Sequence, residues 1–254
     1  MNTLKVAWLF PDTLYLHGER GNILALNRFI KAAGMIPVIE KIDFDTKNFD
    51  PESYDIIFCP PGEIVSFPVI LEWLAPYKEA FERFIAGGSP LIVTGTSIAM
   101  WCRKVIRSDG ESFEGMGILK AEAKEKDAVY GDDLYYTCMY NGKQFEIIGS
   151  QIQMTDFINR GEKPFGRLYY GYGNTGTDRE EGFIQYNSVF TNTLAPVLAV
   201  HPDFAAEVVT AAAAAKGITI DQIEYDSDIA NKSFATKKEF IETKETRLTN
   251  CKER

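Results

Sequence analysis

The stretch Leu91-Ile92-Val93-Thr94-Gly95-Thr96-Ser97 decides how this sequence is interpreted. A buried-strand pattern ends abruptly at a glycine and a helical pattern follows, which predicts a strand, a tight turn and a helix. In α/β enzymes a turn of this kind holds the attacking side chain above the sheet. Gly95 tolerates the bend but has no atom that could attack a substrate. The sequence therefore looks like an enzyme scaffold whose central chemical group is missing.

The first hundred residues alternate between strand and helix patterns. A buried strand is predicted at Lys5–Phe10, and further strands are predicted at Ile36–Ile42, Ile56–Cys59 and Leu91–Thr94. Helices are predicted at Asn22–Ala33, Pro68–Ala86 and Thr96–Lys104. This alternation predicts an α/β fold with a mainly parallel sheet and helices on both faces.

The rest of the chain changes character twice. Between Leu119 and Phe190, short β-like runs and turn signals predict an antiparallel extension of the same sheet domain, with a hairpin turn at Asn141-Gly142. The runs in question are Leu134–Tyr140, Phe145–Ile148 and Ser188–Thr193. The C-terminal part is predicted to be helical, at Phe204–Lys216 and about 228–248, with a frayed tail after Thr246. We expect residues 1–254 to form one domain.

Composition excludes several classes of partner. The net charge of −9 disfavours nucleic acid and anionic membrane surfaces. No apolar run has the length of a membrane span, and the N-terminus does not have the pattern of a signal peptide. The four cysteines lack metal-type spacing and there are only two histidines, so we expect a cytoplasmic protein with no metal and no cofactor.

Three local strings together resemble one protein family. They are Tyr15-Leu16-His17-Gly18-Glu19-Arg20-Gly21-Asn22, Gly115-Met116-Gly117-Ile118-Leu119 and Tyr170-Gly171-Tyr172-Gly173-Asn174. In order and spacing they are similar to the Asn-Leu-Tyr-Gly-Asp-x-Gly-Asn, Gly-Leu-Gly-Ile-Leu and Phe-Gly-Tyr-Gly-Asn motifs of class I (triad) glutamine amidotransferases of the cobyric-acid-synthase type. Within that family the resemblance is greatest to GatD subunits of lipid II isoglutaminyl synthase. It implies a flavodoxin-like, class I amidotransferase fold.

The resemblance also implies a chemistry. In this family a cysteine on the elbow attacks the side-chain amide of glutamine, a histidine transfers the proton, and backbone N–H groups of a glycine-rich loop hold the oxyanion. GatD subunits work as heterodimers with a MurT subunit, which resembles an ATP-dependent Mur ligase. A MurT-like partner is therefore implied for this chain.

The groups required for that chemistry are replaced at each matching position. The cysteine position falls on Gly95, and the histidine position falls on Leu194 in Asn192-Thr193-Leu194-Ala195-Pro196, where the family has Tyr-Leu-His-Gly-Pro. The Gly-Gly-Gly oxyanion loop is matched by Pro60-Pro61-Gly62, and proline has no N–H to donate. The family's glutamine-contacting arginine has no counterpart near 128–130. Loss of a single oxyanion donor costs about 2.7–4 kcal/mol, so the resemblance predicts no glutamine hydrolysis.

Other reactive groups near these positions leave an alternative open. Cys59 could be a relocated nucleophile or simply a small buried hydrophobe, and Thr96 and Ser97 are expected to cap the helix that follows them. With Gly62 and Glu63, these residues could border a vacated pocket with changed chemistry on an unknown small molecule.

Two functional hypotheses follow. The first is a noncatalytic GatD-like subunit that supports a MurT-like ligase acting on an amino-acid or peptidoglycan-type substrate; the second is an enzyme with repurposed pocket chemistry. For the first, His17, Glu19, Arg20 and Asn22 are the candidate interface residues, because the family's N-terminal motif borders the partner face. The lysines of the C-terminal helix are expected to form a solvated face, with docking onto a partner as the alternative.

Overall fold

The computed structural model describes residues 2–252, with side chains described for residues 2–244. The strands of this part are β1 (Thr3–Leu9), β2 (Ile36–Ile42), β3 (Ile56–Cys59), β4 (Leu91–Thr94), β5 (Lys104–Ile106), β6 (Ser112–Glu114), β7 (Glu122–Tyr140), β8 (Lys143–Ile158), β9 (Gly166–Tyr170), β10 (Glu180–Glu181), β11 (Phe183–Gln185) and β12 (Ser188–Thr191). The α-helices are α1 (Arg20–Ala32), α2 (Phe67–Leu74), α3 (Lys78–Ala86), α4 (Ile98–Trp101), α5 (Val197–Val200), α6 (Pro202–Ala215) and α7 (Asp228–Lys252). No helix among residues 2–252 is long and apolar enough to cross a lipid bilayer.

The first sheet has the strand order β11-β12-β4-β3-β1-β2. All of its pairs are parallel except β11 with β12. Its two faces bury separate apolar cores, one against α2 and α3 and the other against α1 and α6. The predicted α/β fold with a mainly parallel sheet is therefore confirmed, and β4 lies between β3 and β12 rather than at an edge.

The second sheet is built on a long antiparallel hairpin of β7 and β8. Its turn is at Asn141-Gly142, as predicted, with φ of 46° and 78° at these residues. The strands are 19 and 16 residues long, much longer than the runs predicted from sequence. The first half of β7 lies mostly near or at the surface on both faces, so it lacks the apolar alternation by which a strand is recognised.

Two helix predictions need correction. The predicted helix Thr96–Lys104 is only α4, because the backbone becomes extended at Cys102 and β5 begins two residues later. The predicted helix Pro68–Ala86 is divided into α2 and α3 by a 3-10 turn at Ala75–Tyr77. The patterns gave the type of these elements correctly and their lengths incorrectly.

The C-terminal helix packs on the hairpin instead of presenting a solvated lysine face. Ile241 is 1% exposed and lies in a small apolar cluster with Tyr135 and Ile148. The lysines pair with carboxylates of the hairpin, as Lys237–Asp133 (3.0 Å), Lys238–Glu146 (3.1 Å) and Lys244–Asp132. The helix begins at Asp228, as predicted, and its backbone continues to Lys252.

Candidate functional site

The elbow predicted from sequence lies at the carboxyl end of β4. Gly95 has a φ of +61°, which L side chains rarely adopt, and it is buried. Its position at the end of a central strand of a parallel sheet is where α/β proteins place their functional residues. An elbow of this kind ordinarily presents its residue to an open site, whereas here neighbouring side chains cover residue 95.

Those neighbours are two other positions at which the resemblance predicts lost groups. A Cβ atom added to Gly95 would lie 3.0 Å from Cβ of Pro61 and 3.1 Å from Cδ2 of Leu194. Three segments distant in sequence thus converge on one point. The space directly above Gly95 is occupied by the Pro61 ring and the Leu194 side chain.

Hydrogen bonds fix the Pro60–Gly62 loop in this position. The Ser97 hydroxyl donates to the carbonyl of Pro60 at 2.6 Å, and the Thr96 hydroxyl donates to that of Gly62 at 2.5 Å. The N–H of Leu16 donates to the carbonyl of Pro61 at 3.1 Å. Neither hydroxyl caps the following helix, contrary to expectation. They tie the elbow to the loop instead.

The candidate pocket around Cys59 is not open. Cys59 and Ser97 are fully buried, and a Cβ on Gly62 would lie 2.3 Å from Cδ2 of Leu14. Burial raises the pKa of the Cys59 thiol to about 12, so almost no thiolate is present at neutral pH. Of the predicted pocket residues, Glu63 is exposed and Thr96 is half-buried. The structure supports Cys59 as a buried core residue.

Glu19 is the residue of this site whose role the sequence did not reveal. It is 1% exposed and accepts a hydrogen bond of 2.6 Å from Nδ2 of Asn22. Burial raises the pKa of Glu19 to about 7, against the lowering effects of Asn22, the Thr94 hydroxyl and the N–H of Ala195. The carboxyl group is thus tied to the N-terminal motif through Asn22, while its Oε1 has no hydrogen-bond partner within residues 2–244.

Burial also corrects the predicted interface. Oδ1 of Asn22 accepts a hydrogen bond from the N–H of Leu198 at 2.8 Å, and Asn22 itself is fully buried. Glu19 and Asn22 thus hold the fold together and offer no surface to a partner. His17 and Arg20 remain exposed. The sequence favoured Glu19 as a surface residue because a charged residue in a glycine-containing loop is ordinarily solvated.

The segment after β12 shows backbone strain beside Leu194. Ala195 has a φ of +74°, which is unusual for a residue with a side chain. Leu194 is 2% exposed, and its N–H and carbonyl both pair with Ser150 of β8, at 2.8 and 3.3 Å. The family motif has a glycine at the position of Ala195, so the strained backbone agrees with the alignment of this segment.

A second buried carboxyl group lies near the same segment. Glu181 is fully buried and accepts hydrogen bonds from the Thr191 hydroxyl at 2.9 Å and the N–H of Asn192 at 2.7 Å. Burial raises its pKa to about 7. The Thr191 hydroxyl oxygen also lies 2.9 Å from the Thr193 hydroxyl, which in turn lies 2.9 Å from the Tyr136 hydroxyl. This network joins the first sheet to the hairpin.

Comparison with known proteins gives relatives of the kind that the motifs indicate. No family model matches the chain. The chain is 22% identical over 244 residues to the lipid II isoglutaminyl synthase (glutamine-hydrolyzing) subunit GatD of Streptococcus pneumoniae. This alignment covers 95% of this chain and 92% of the relative. It is 24% identical over 238 residues to GatD of Staphylococcus aureus, covering 90% and 92%.

A solved structure illustrates the shared fold. PurLQS from Thermotoga maritima superposes with a TM-score of 0.52 at 11% identity, covering 85% of this chain and 97% of that one. At this identity the likeness concerns the fold alone. Together with the two relatives, it shows a mixed α/β chain related to GatD subunits along nearly its whole length.

Proposed function

We propose that this chain is a GatD-like subunit that does not hydrolyse glutamine and that docks on a MurT-like, ATP-dependent ligase of the Mur-ligase type. The observation that carries the proposal is the contact of Pro61 and Leu194 with the space above Gly95. Attack on an amide needs a nucleophile, a base and oxyanion donors in one open site. Here the matching positions supply no nucleophile and no base, two of the three loop residues lack an N–H, and Pro61 and Leu194 fill the space above Gly95.

The retained parts of the scaffold support a binding role. The elbow and the Pro60–Gly62 loop are held together by hydrogen bonds that the Thr96 and Ser97 hydroxyls donate, and the Leu194 segment pairs with Ser150 of β8. A scaffold with this degree of local order can present a defined surface although its centre is inert. In the proposed complex, the chain shapes a ligase that uses free ammonia or another amine, on an amino-acid or peptidoglycan-type substrate in the cytoplasm.

Ammonia release tests the catalytic half of the proposal. The purified chain, alone and with the co-expressed Mur-ligase-like protein, is expected to release no more ammonia from glutamine than buffer does. A glutamine-hydrolyzing GatD relative serves as the positive control. Turnover by this chain that persists in Cys59→Ala and Gly95→Ala would overturn the proposal and place the chemistry elsewhere.

Co-purification tests the docking half. A tagged chain is expected to retain a Mur-ligase-like protein from native lysate, and a gene for such a ligase is expected beside its own. His17→Glu is expected to weaken the complex, since His17 remains exposed in the N-terminal motif. Lys31→Glu, at the far end of α1, is the matched control. Isolation of the chain without any ligase would contradict the docking role.

The alternative of a repurposed enzyme loses its main support. Its candidate nucleophile, Cys59, is fully buried with a raised pKa, and the hydroxyls of Thr96 and Ser97 are donors to backbone carbonyls. No observation at this site favours changed chemistry over a binding role.

A further inference from the structure

A cleft with a volume of about 430 Å³ opens at the carboxyl ends of β1 and β2, next to Pro60 after β3. Trp8 and Tyr15 contribute aromatic walls, and Arg20 and Lys41 contribute cationic groups. Gly95, Pro61 and Leu194 are not among the residues that line it. The cleft is therefore separate from the closed elbow, and an inference about it does not depend on the proposed function.

The topology of the first sheet places this cleft at a switch point. β1 lies between β2 and β3 in the sheet. The connection from β1 leads to its neighbour β2 on one side, and the connection from β2 then passes over β1 to reach β3 on the other side. α1, which follows β1, and α2, which follows β3, pack on opposite faces of the sheet. Adjacent connections that diverge in this way leave a crevice outside the carboxyl ends of the strands, where open α/β sheets bind ligands.

The charge of the cleft is opposite to that of the chain. The protein has a net charge of −9, whereas the cleft is lined by Arg20 and Lys41 against the single carboxylate of Asp12. Within residues 2–244, neither cation has a carboxylate at ion-pair distance; Nζ of Lys41 lies 5.7 Å from the centroid of the Trp8 ring. Two cations that are unpaired in an acidic protein, beside one crevice, favour an anionic ligand.

We propose that this cleft binds a small organic anion that carries a planar ring. The ring would stack on the aromatic wall formed by Trp8 and Tyr15, and a phosphate or carboxylate would be held by Arg20 and Lys41. The volume of the cleft lies in the ordinary range for small-molecule sites, about 300–1,000 Å³, and admits a molecule of mononucleotide size. A phosphate-bearing and a carboxylate-bearing ligand would share the same chemistry, which is one flat ring with one negatively charged group.

Calorimetry and tryptophan fluorescence on the full chain test the site with four probes. AMP represents the ring with a phosphate, indole-3-acetate the ring with a carboxylate, and adenosine and inorganic phosphate represent each half alone. We expect saturable binding of AMP, indole-3-acetate or both, and at least about tenfold weaker binding of either half, because each half makes only part of the contacts. Which of the two acids binds identifies the anionic group.

Variants locate the binding. Arg20→Gln and Lys41→Gln are each expected to weaken it about tenfold, the usual effect of one charge-assisted hydrogen bond. Lys31→Gln removes the same charge from the exposed far end of α1 and is expected to leave binding unchanged. The inference is overturned if neither acid binds saturably, if adenosine binds as well as AMP, or if binding survives in both Arg20→Gln and Lys41→Gln.

Discussion

At the scale of single residues, Ala195 carries strain that a glycine would relieve. A φ of +74° costs a residue with a side chain about 1–2 kcal/mol relative to glycine. We therefore expect Ala195→Gly to raise the free energy of unfolding by about 1 kcal/mol, measured by chemical denaturation. Ala214→Gly, at an exposed position in α6, is expected to lower it by a similar amount and is the control. A loss of stability in Ala195→Gly would show that the alanine side chain makes packing contacts that outweigh the strain.

Glu19 gives stability a dependence on pH. Its pKa rises from an ordinary 4.5 to about 7 in the folded protein. Between these values the folded state binds a proton that the unfolded state lacks, so stability falls as pH rises, by roughly 1.4 kcal/mol per pH unit for such a group. We expect Glu19→Gln to reduce this fall between about pH 5 and 7 and to stabilise the protein above pH 7.

Denaturation midpoints across that pH range measure the effect. Glu79→Gln, at an exposed position of α3, is the control and should leave the slope unchanged. Part of the slope should remain in Glu19→Gln, because burial raises the pKa of Glu181 in the same way. A slope in Glu19→Gln equal to that of the unaltered protein would show that Glu19 is ionised in the folded state.

The sequence indicated which segments lie near Gly95 better than it indicated how their side chains pack. Motif alignment assigned Gly95, Pro61 and Leu194 to one centre, and the structure brings them into contact. It did not indicate that the centre is filled, since a pattern of residue types does not report how side chains from separate segments pack. Nor did it indicate the burial of Glu19, because a carboxylate is ordinarily solvated and local sequence does not report which segments pack over it.

At the scale of elements, the docking of α7 rests on few apolar contacts. Ile241 is 1% exposed, whereas Ile229 of the same helix is 81% exposed. We expect Ile241→Asp to release the helix from the hairpin, because it places a charge among Tyr135 and Ile148. Hydrogen exchange should then rise in peptides from 228–244 while β4 stays protected. Ile229→Asp is the matched control, and equal exchange in the two variants would contradict this account of docking.

The predicted and observed bounds of the strands differ in how well they agree. The bounds of β2, β3 and β4 agree with the predictions residue for residue. For β3 and β4 the reason is that each is a short, fully buried apolar run. The hairpin was underestimated, since β7 begins with a largely exposed half whose pairing comes from β8 and not from its own pattern. Cross-strand pairing is a tertiary property, and local periodicity carries little information about it.

At the scale of the whole molecule, the proposed loss of chemistry involves three segments at once. The loop after β3, the elbow after β4 and the segment after β12 each contribute one group to the closed centre. Restoring one group is therefore not expected to restore the site, because catalytic groups that act as a unit are strongly non-additive.

A graded reversal tests this view. We expect Gly95→Cys alone to destabilise the protein by about 1–3 kcal/mol, because its side chain would be forced against Pro61 and Leu194 at a φ of +61°. The new thiol should react with iodoacetamide as slowly as the buried Cys102 and Cys138. Adding Pro61→Gly removes the proline ring, and adding Leu194→His replaces the leucine side chain by an imidazole that can take the proton of the thiol. The residue 95 thiol should then become the most reactive in the chain, as mapped by peptide mass spectrometry. Ammonia release should nevertheless remain at the level of buffer, because Pro60 still lacks an N–H and no arginine is present near 128–130 to hold glutamine.

A Gly95→Cys thiol that reacts as fast as a free surface cysteine would show that the elbow is open. Glutamine turnover by the triple variant would show that the remaining chain already contains a glutamine site.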